Sequence, residues 1–265
     1  MNIIGQNKLL SKIDTYYTMN SLPKTLMFIG TAGCGKHLMA KYVAEAFKLD
    51  YKEINENVSA VDLDDYLYST ISALYVINLN EFTEKQQNQF LKFIEEPSKS
   101  VYVILTATSE AGVLPTILNR CIKYNFEPYT KEQVEQITNT TVNDLAFKIF
   151  QTPGKLLNLT EVCFNAIIDL AEKVIKHIQR AEYAHALVIS TKINYKDFYD
   201  KIDFNLFLDA VEYLALEDYK NTANEQSLTV FKITNQFKQF ATQQNLIKEV
   251  LMINYLTTLW EAVRR

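Results

Sequence analysis

In this chain of 265 residues, all five prolines and all six glycines lie at or before residue 154: Pro23, Pro97, Pro115, Pro128 and Pro153, with Gly5, Gly30, Gly33, Gly35, Gly112 and Gly154. Proline removes a backbone donor and glycine carries extra entropy into the unfolded state, so both punctuate regular structure. The first part of the chain is therefore divided into short elements, while the last ~110 residues are left to run as helices. In the first part, short apolar runs alternate with helical patterns: "TLMFI" ends at Ile29, "ALYVI" ends at Ile77 and "VYVILTA" begins at Val101. Between them the spacing predicts helices over 36–47 and 84–95, and a shorter one over 61–70. Alternation of this kind builds a parallel α/β sheet.

Past Pro128 the pattern changes. Thr130 can cap a new helix, with Glu132 and Gln133 in its first turn, and "TVNDLAFKIF" and "GKLLNL" supply further helical pieces. From about Thr160, Phe164, Ile167, Ile168, Ala171, Val174 and Ile175 recur at intervals of three and four, the signature of a helical bundle. Three segments result, 1–128, 129–160 and 161–265, within the two or three domains that the length suggests.

A formal charge of -4 argues against a chain that grips nucleic acid alone, because phosphate binding wants a basic surface. No apolar run approaches the ~18 residues of a membrane span, and the opening "MNIIGQNKLL" lacks a basic leader, so the expected compartment is the cytoplasm. Cys34, Cys121 and Cys163 are widely spaced, without a C-x-x-C pair, and predict neither a disulfide nor zinc.

Three of the six glycines, Gly30, Gly33 and Gly35, fall between a strand and a helix in "GTAGCGKHLMA". That spacing lets backbone amides approach phosphate oxygens at the positive end of the following helix, with Lys36 adding a charge. His37, however, stands where a Ser or Thr hydroxyl would hold magnesium. The second landmark of such sites is an acid closing an apolar strand. Here the strand runs into "YVINLNEF", with Asn78, Leu79 and Asn80 at that place and Glu81 beyond it. Both departures fall on the metal side, so little or no hydrolysis is expected, and nucleotide binding through the loop amides stays open.

Arg120, one of only four arginines, ends the segment "LPTILNRC". A guanidinium is a planar, permanently charged fork suited to the charge that develops on a transferring phosphate. Other acidic features are weaker. "VDLDDYLY" lacks the glycine and terminal glutamate of a calcium loop, and Glu95 and Glu96 before Pro97 read as a helix end. His177 and His185 have no ligand cluster beside them in sequence.

"NQFLKFIEEP", "VYVILTATS", "LPTILNRC" and "TPGKLLNL" follow one another in the order and spacing of clamp-loader subunits of the AAA+ family. In that family the corresponding runs look like N-A-L-L-K-x-L-E-E-P, a strand ending in a polar sensor, L-x-P-T-I-x-S-R-C, and a P-G-x-A-L turn into a lid helix. The opening segment through "TLMFIG" is similar as well. The resemblance covers roughly residues 1–160 and is strongest to the bacterial delta-prime type. It implies an AAA+ P-loop parallel-sheet module over 1–128, a helical lid over 129–160 and an all-helical collar over 161–265.

Carried over, Arg120 becomes an arginine finger acting in trans. Gly30, Gly33, Gly35, Lys36 and His37 surround the nucleotide, Thr106 or Thr108 lies near the first sensor position, and Lys155 lies near the second. The resemblance implies ATP or ADP held without efficient hydrolysis, no metal ligands and no zinc. The implied partners are other clamp-loader subunits, a sliding clamp, and primer-template DNA reached through the assembled complex, with no membrane. Two departures stand out: Asn119 replaces the serine of the S-R-C motif, and the tetracysteine insertion of many bacterial relatives is missing. Two alternatives share the fold, an active ATPase subunit of such a complex and a purely structural adaptor.

Overall fold

Three runs of consecutive apolar residues form the middle of the sheet: β1 (Thr25–Ile29), β3 (Ala73–Asn78) and β4 (Val101–Ala107). Strands covered on both faces need no polar alternation, which is why these runs are almost continuously buried. Two polar strands complete the sheet at its edges, β2 (Asp50–Ile54) and β5 (Ile122–Asn125). The order is β2-β3-β4-β1-β5 and every pair is parallel.

The computed structural model describes residues 3–54, 63, 65–66, 70–95, 97–157, 159–180, 203–241 and 248–263. The short helix read over 61–70 falls mostly outside them, as do Glu96, His185, Arg264 and Arg265.

Successive strand residues alternate between the faces. Leu26, Phe28, Leu74, Val76 and Ile104 meet Leu9 and Ile13 of α1 (Asn7–Thr18) and Met39, Ala40 and Val43 of α2 (Lys36–Phe47). Met27, Tyr75, Ile77, Val103 and Leu105 face the other way and share a core with Phe90, between α3 (Glu84–Gln89) and α4 (Leu91–Glu95), with Phe93 and Ile94 of α4, and with Ile117 of α5 (Pro115–Leu118). The single helix expected over 84–95 is thus two short ones, parted at Phe90. Phe90 is fully buried edge-on against Phe82, with ring centroids 4.9 Å apart. Next to it, the buried Gln87 amide donates to the carbonyls of Phe82 and Gly112 and accepts from the amide of Leu114. A buried side-chain amide must find such partners, and here they tie α3 to the turn that leads into α5.

The chain separates into two units by its internal contacts, Met1–Thr141 with Thr152–Leu157, and Val142–Gln151 with Asn158–Arg265. The stretch 129–160, expected as one lid, is shared between them: α6 (Lys131–Thr138) and α8 (Pro153–Leu156) go with the first unit and α7 (Asp144–Phe150) with the second. Thr130 caps α6 as expected. Its hydroxyl accepts from the Gln133 amide and the Gln133 side chain accepts from the Thr130 amide, a reciprocal capping box.

In the second unit, α9 (Glu161–Gln179) buries Phe164, Ile167, Ala171, Val174 and Ile175, the stripe seen in the sequence. It is joined by α10 (Phe204–Thr222), α11 (Glu225–Ala241) and α12 (Lys248–Val263). Tyr255 sits fully buried among Phe204, Phe207 and Phe237, and its hydroxyl is matched by Thr234 at 2.7 Å. Buried Asp209 is compensated by Lys238 at 2.7 Å, which also reaches Glu212. Desolvation opposes the Lys238 charge, but the two carboxylates outweigh it and raise its pKa above the ordinary lysine value. Replacing Thr130 by Ala removes one half of the capping box, and urea unfolding of the first unit is expected to show a loss of about 1 kcal/mol.

Candidate functional site

Parallel pairing sets Phe28 beside Thr106 and Ile29 beside Ala107, and the Gly30 amide donates to the Ala107 carbonyl at 3.1 Å. The chain leaves β1 for β2 at one edge of the sheet and leaves β4 for β5 at the other, so the gap between these two strand ends is the switch point of the topology. Open α/β sheets take their ligands at such a point. Residues 30–35 lie there and lead into α2, with Gly33 and Gly35 at φ +78° and +92°. A side chain at either position would meet backbone strain.

Every carbonyl from Gly30 to Cys34 accepts a hydrogen bond. Lys36 Nζ donates to Gly30 O at 2.5 Å and to Thr31 O at 3.0 Å. Thr152 Oγ1 donates to Ala32 O at 2.9 Å, the Gly154 amide to Gly33 O at 2.9 Å, and the Tyr129 hydroxyl to Cys34 O at 2.9 Å. A trans peptide points its N–H away from its C=O, so anchoring these carbonyls in the protein turns the loop amides outward for an anion, apart from that of Cys34, which donates to Thr31 O at 3.3 Å. The contact with Gly154 is close. A Cβ on Gly154 would fall 2.7 Å from Gly33 Cα and 2.8 Å from Gly33 O, which only glycine at residue 154 avoids.

Lys36 is 7% exposed, and burial lowers its ammonium pKa. Cys34, 3.8 Å from that ammonium, is buried too, and desolvation raises its thiol pKa more than the lysine lowers it. Burial likewise pushes Cys121 up to about 12, which leaves a thiol of little reactivity beside Arg120. Alongside the loop lies a cavity of about 300 Å³, lined largely by apolar groups including Ile3, Ile4, Leu38, Met39, Ile137 and Pro153. Tyr129 and Gln136 give it polar edges. Its size and walls suit a flat heterocycle beside the loop amides.

The metal side is built differently. His37 turns toward β2, with Nδ1 3.6 Å from Glu53 Oε1, and Glu53 also accepts the Tyr51 hydroxyl at 2.5 Å. That hydrogen bond is the main reason the Glu53 carboxyl titrates below its ordinary range. β3 ends on Asn78, whose amide donates to Glu81 at 2.7 Å and whose oxygen accepts from Asn80 at 3.0 Å and from buried Thr106 at 3.5 Å. The Asn80 oxygen accepts both the amide and the hydroxyl of Thr108, at 3.3 and 3.1 Å. Both threonines considered for the sensor position therefore close onto this amide network. Among the described residues, no group of three or more His, Cys, Asp or Glu is arranged to hold a metal.

Arg120 lies apart from the loop, just past α5. Its Nε is 2.5 Å from Glu95 Oε1, and Nη1 donates to Thr116 O at 2.7 Å. Lys155 stands in α8, where its backbone amide is 3.0 Å from the position a Gly33 Cβ would take. The structure thus gathers Gly30, Gly33, Gly35, Lys36 and Lys155 at one end of β1, joins Thr106 to Asn78, and leaves His37 and Arg120 facing other groups. Tyr129, Thr152, Glu53 and Glu95 complete these contacts; Glu95 and Thr152 fall within "NQFLKFIEEP" and "TPGKLLNL", but nothing in the sequence assigned these contacts to any of the four.

A family model described as "DNA polymerase III, delta subunit" matches residues 50–130. The Bacillus subtilis DNA polymerase III subunit delta' is 28% identical over 89 residues, 33% of this chain and 26% of that protein. This chain resembles a clamp-loader subunit of the delta-prime type. Saccharomyces cerevisiae replication factor C subunit 3 is 22% identical over 160 residues, 54% of this chain and 47% of that protein. The chain spans less than half the length of each of these relatives. Among solved structures, the Thermotoga maritima RuvB Holliday junction branch migration motor aligns with a TM-score of 0.50 at 14% identity, over 82% of this chain and 76% of that one. That likeness is one of fold, a parallel α/β sheet module followed by a helical region. No described helix is long and apolar enough to cross a membrane.

Because Gly154 touches Gly33 backbone to backbone, Gly154→Ala is expected to destabilise the first unit by roughly 1–3 kcal/mol. Hydrogen exchange at residues 30–35 should speed up in that variant, and unchanged protection would show that the contact does not hold the loop.

Proposed function

We propose that this chain is a delta-prime-like clamp-loader subunit that does not hydrolyse ATP efficiently itself and lends Arg120 to the ATP site of a neighbouring subunit. The observation that carries this reading is the end of β3, where Asn78 and Asn80 stand in place of an acid and the nearest carboxylate, Glu81, lies past the strand and accepts from the Asn78 amide at 2.7 Å. Hydrolysis at such a site requires a carboxylate there to hold the metal and a group to orient the attacking water. Asn78 and Asn80 are neutral, and their oxygens are already engaged by Asn80, Thr106 and Thr108. The missing hydroxyl at residue 37 removes the second metal contact, and His37 faces Glu53 instead.

The same loop remains suited to ATP or ADP. Gly33, Gly35 and Lys36 would hold the phosphates at the start of α2, with the base in the cavity lined by Leu38, Met39 and Ile137. Such a nucleotide would supply the negative charge that buried Lys36 otherwise balances with loop carbonyls. Zinc has no place in this account.

The names of the relatives point to DNA replication. In this reading the assembled complex opens a ring-shaped sliding clamp and places it on primed DNA in the cytoplasm. The chain's own net charge of -4 means that its partners supply most of the contact with DNA. Arg120 is half-exposed, so its guanidinium is accessible to a neighbour's γ-phosphate, and the helical segment 161–265 serves as the collar that joins the subunits.

In the reconstituted complex, Arg120→Ala is expected to lower DNA-stimulated ATP turnover by on the order of 10³–10⁵ while assembly is unchanged. Undiminished turnover would remove the trans role. The metal side gives a second check. ADP should raise the Tm of the purified chain equally in magnesium and in EDTA, whereas a shift that requires magnesium would contradict the neutral strand end.

A further inference from the structure

Arg120 is not left to find its own orientation. Glu95 engages Nε at 2.5 Å, and the Thr116 carbonyl engages Nη1 at 2.7 Å. A guanidinium has five N–H donors in a plane, so these two contacts fix the plane and leave donors on Nη1 and Nη2 unclaimed among the described residues. We infer that Glu95 is the positioning residue for Arg120, holding the guanidinium in one orientation for a phosphate brought by a neighbouring subunit. The inference rests on the trans role of Arg120 given above.

Stability does not account for the pair. The side chains are 40% and 41% exposed, and ion pairs so exposed contribute little to folding. Local structure does not call for Glu95 either, since it is the last residue of α4, the end of a helix where a carboxylate is disfavoured. The supports beneath the pair are rigid. Phe93 and Ile94 of α4 share one core with Ile117 of α5. Buried Gln87 binds the Gly112 carbonyl and the Leu114 amide immediately before α5. Two firmly mounted elements therefore present one acceptor each to a long, otherwise mobile side chain. Ordering that side chain before the encounter removes an entropy cost from the step in which it meets a phosphate.

The test uses the assembled complex with its ATPase neighbours and primed DNA, and compares wild type, Glu95→Ala, Arg120→Ala and the double variant. Glu95→Ala is expected to lower kcat by about 10- to 100-fold with KM for ATP nearly unchanged, because orientation and not binding is lost. The double variant should be no slower than Arg120→Ala alone. Glu95→Gln keeps an oxygen that can accept from Nε, and should restore most of the rate. The Tm of the isolated chain should move by no more than a few degrees in either Glu95 variant. An impaired Arg120→Ala complex beside a Glu95→Ala complex of normal or raised kcat would overturn the inference alone. A Glu95→Ala loss that persists undiminished in the Arg120→Ala background would overturn it too, by showing that Glu95 acts through something else. Full activity in Arg120→Ala would overturn both the trans role and the inference built on it.

Discussion

The site depends first on the parallel pairing of β1 with β4. Because Phe28 lies beside Thr106 and Ile29 beside Ala107, the loop that follows β1 begins level with the end of β4. The next pairing, Asn78 beside Thr106, brings the end of β3 to the same level. Three strand ends in one row mean that backbone amides, a buried lysine and the polar residues after β3 and β4 lie on one edge of the sheet. A shift of one residue between β3 and β4 would set Thr106 and Asn78 on opposite faces, and the same shift between β1 and β4 would do so for Thr106 and Phe28.

On that edge the loop and the metal side have separate fates. The loop is held by its carbonyls, five in a row, through Lys36, Thr152, Gly154 and Tyr129. This is an arrangement that keeps amides available for an anion. The strand ends beside it are neutral and closed on themselves through Asn78, Asn80, Thr106 and Thr108, and the Glu81 carboxylate beyond β3 is taken up by the Asn78 amide. Amide oxygens that already accept two hydrogen bonds are poor ligands for a hard cation. Loss of catalysis with retention of the loop would therefore be a consistent physical state of one site; under the proposed function, the chain's remaining contribution to phosphate chemistry is the Arg120 guanidinium elsewhere on the first unit.

Much of this was legible in the sequence, and the rest was hidden for definite reasons. The apolar runs at Ile29, Ile77 and Val101 are the three central strands, since only strands covered on both faces are written as unbroken apolar segments. β2 and β5 went unread because they are edge strands, half-exposed and spelled "DYKEI" and "IKYN". α2 and the Thr130 cap were announced by local chemistry that acts within a few residues. The break at Phe90 was not, because burial against Phe82, and not helix propensity, sets it. Glycines and Lys36 declared the loop, but the hold of Thr152 and Tyr129 on it, 120 and 95 residues away in the chain, exists only once the chain is folded. The partnership of Glu95 with Arg120 was equally invisible, as "EEP" read as a helix end and "NRC" as an arginine offered to a phosphate, with nothing in either segment pointing to the other.

The central claim is that this chain kept the phosphate loop and lost the chemistry. Its most direct test is steady-state hydrolysis of MgATP by the purified chain, set against the same chain carrying Lys36→Ala. The neutral ends of β3 and β4 predict that the two are alike and no faster than buffer. Turnover by the natural chain that Lys36→Ala abolishes would contradict the account, because it would mean that hydrolysis proceeds here without a carboxylate at the end of β3.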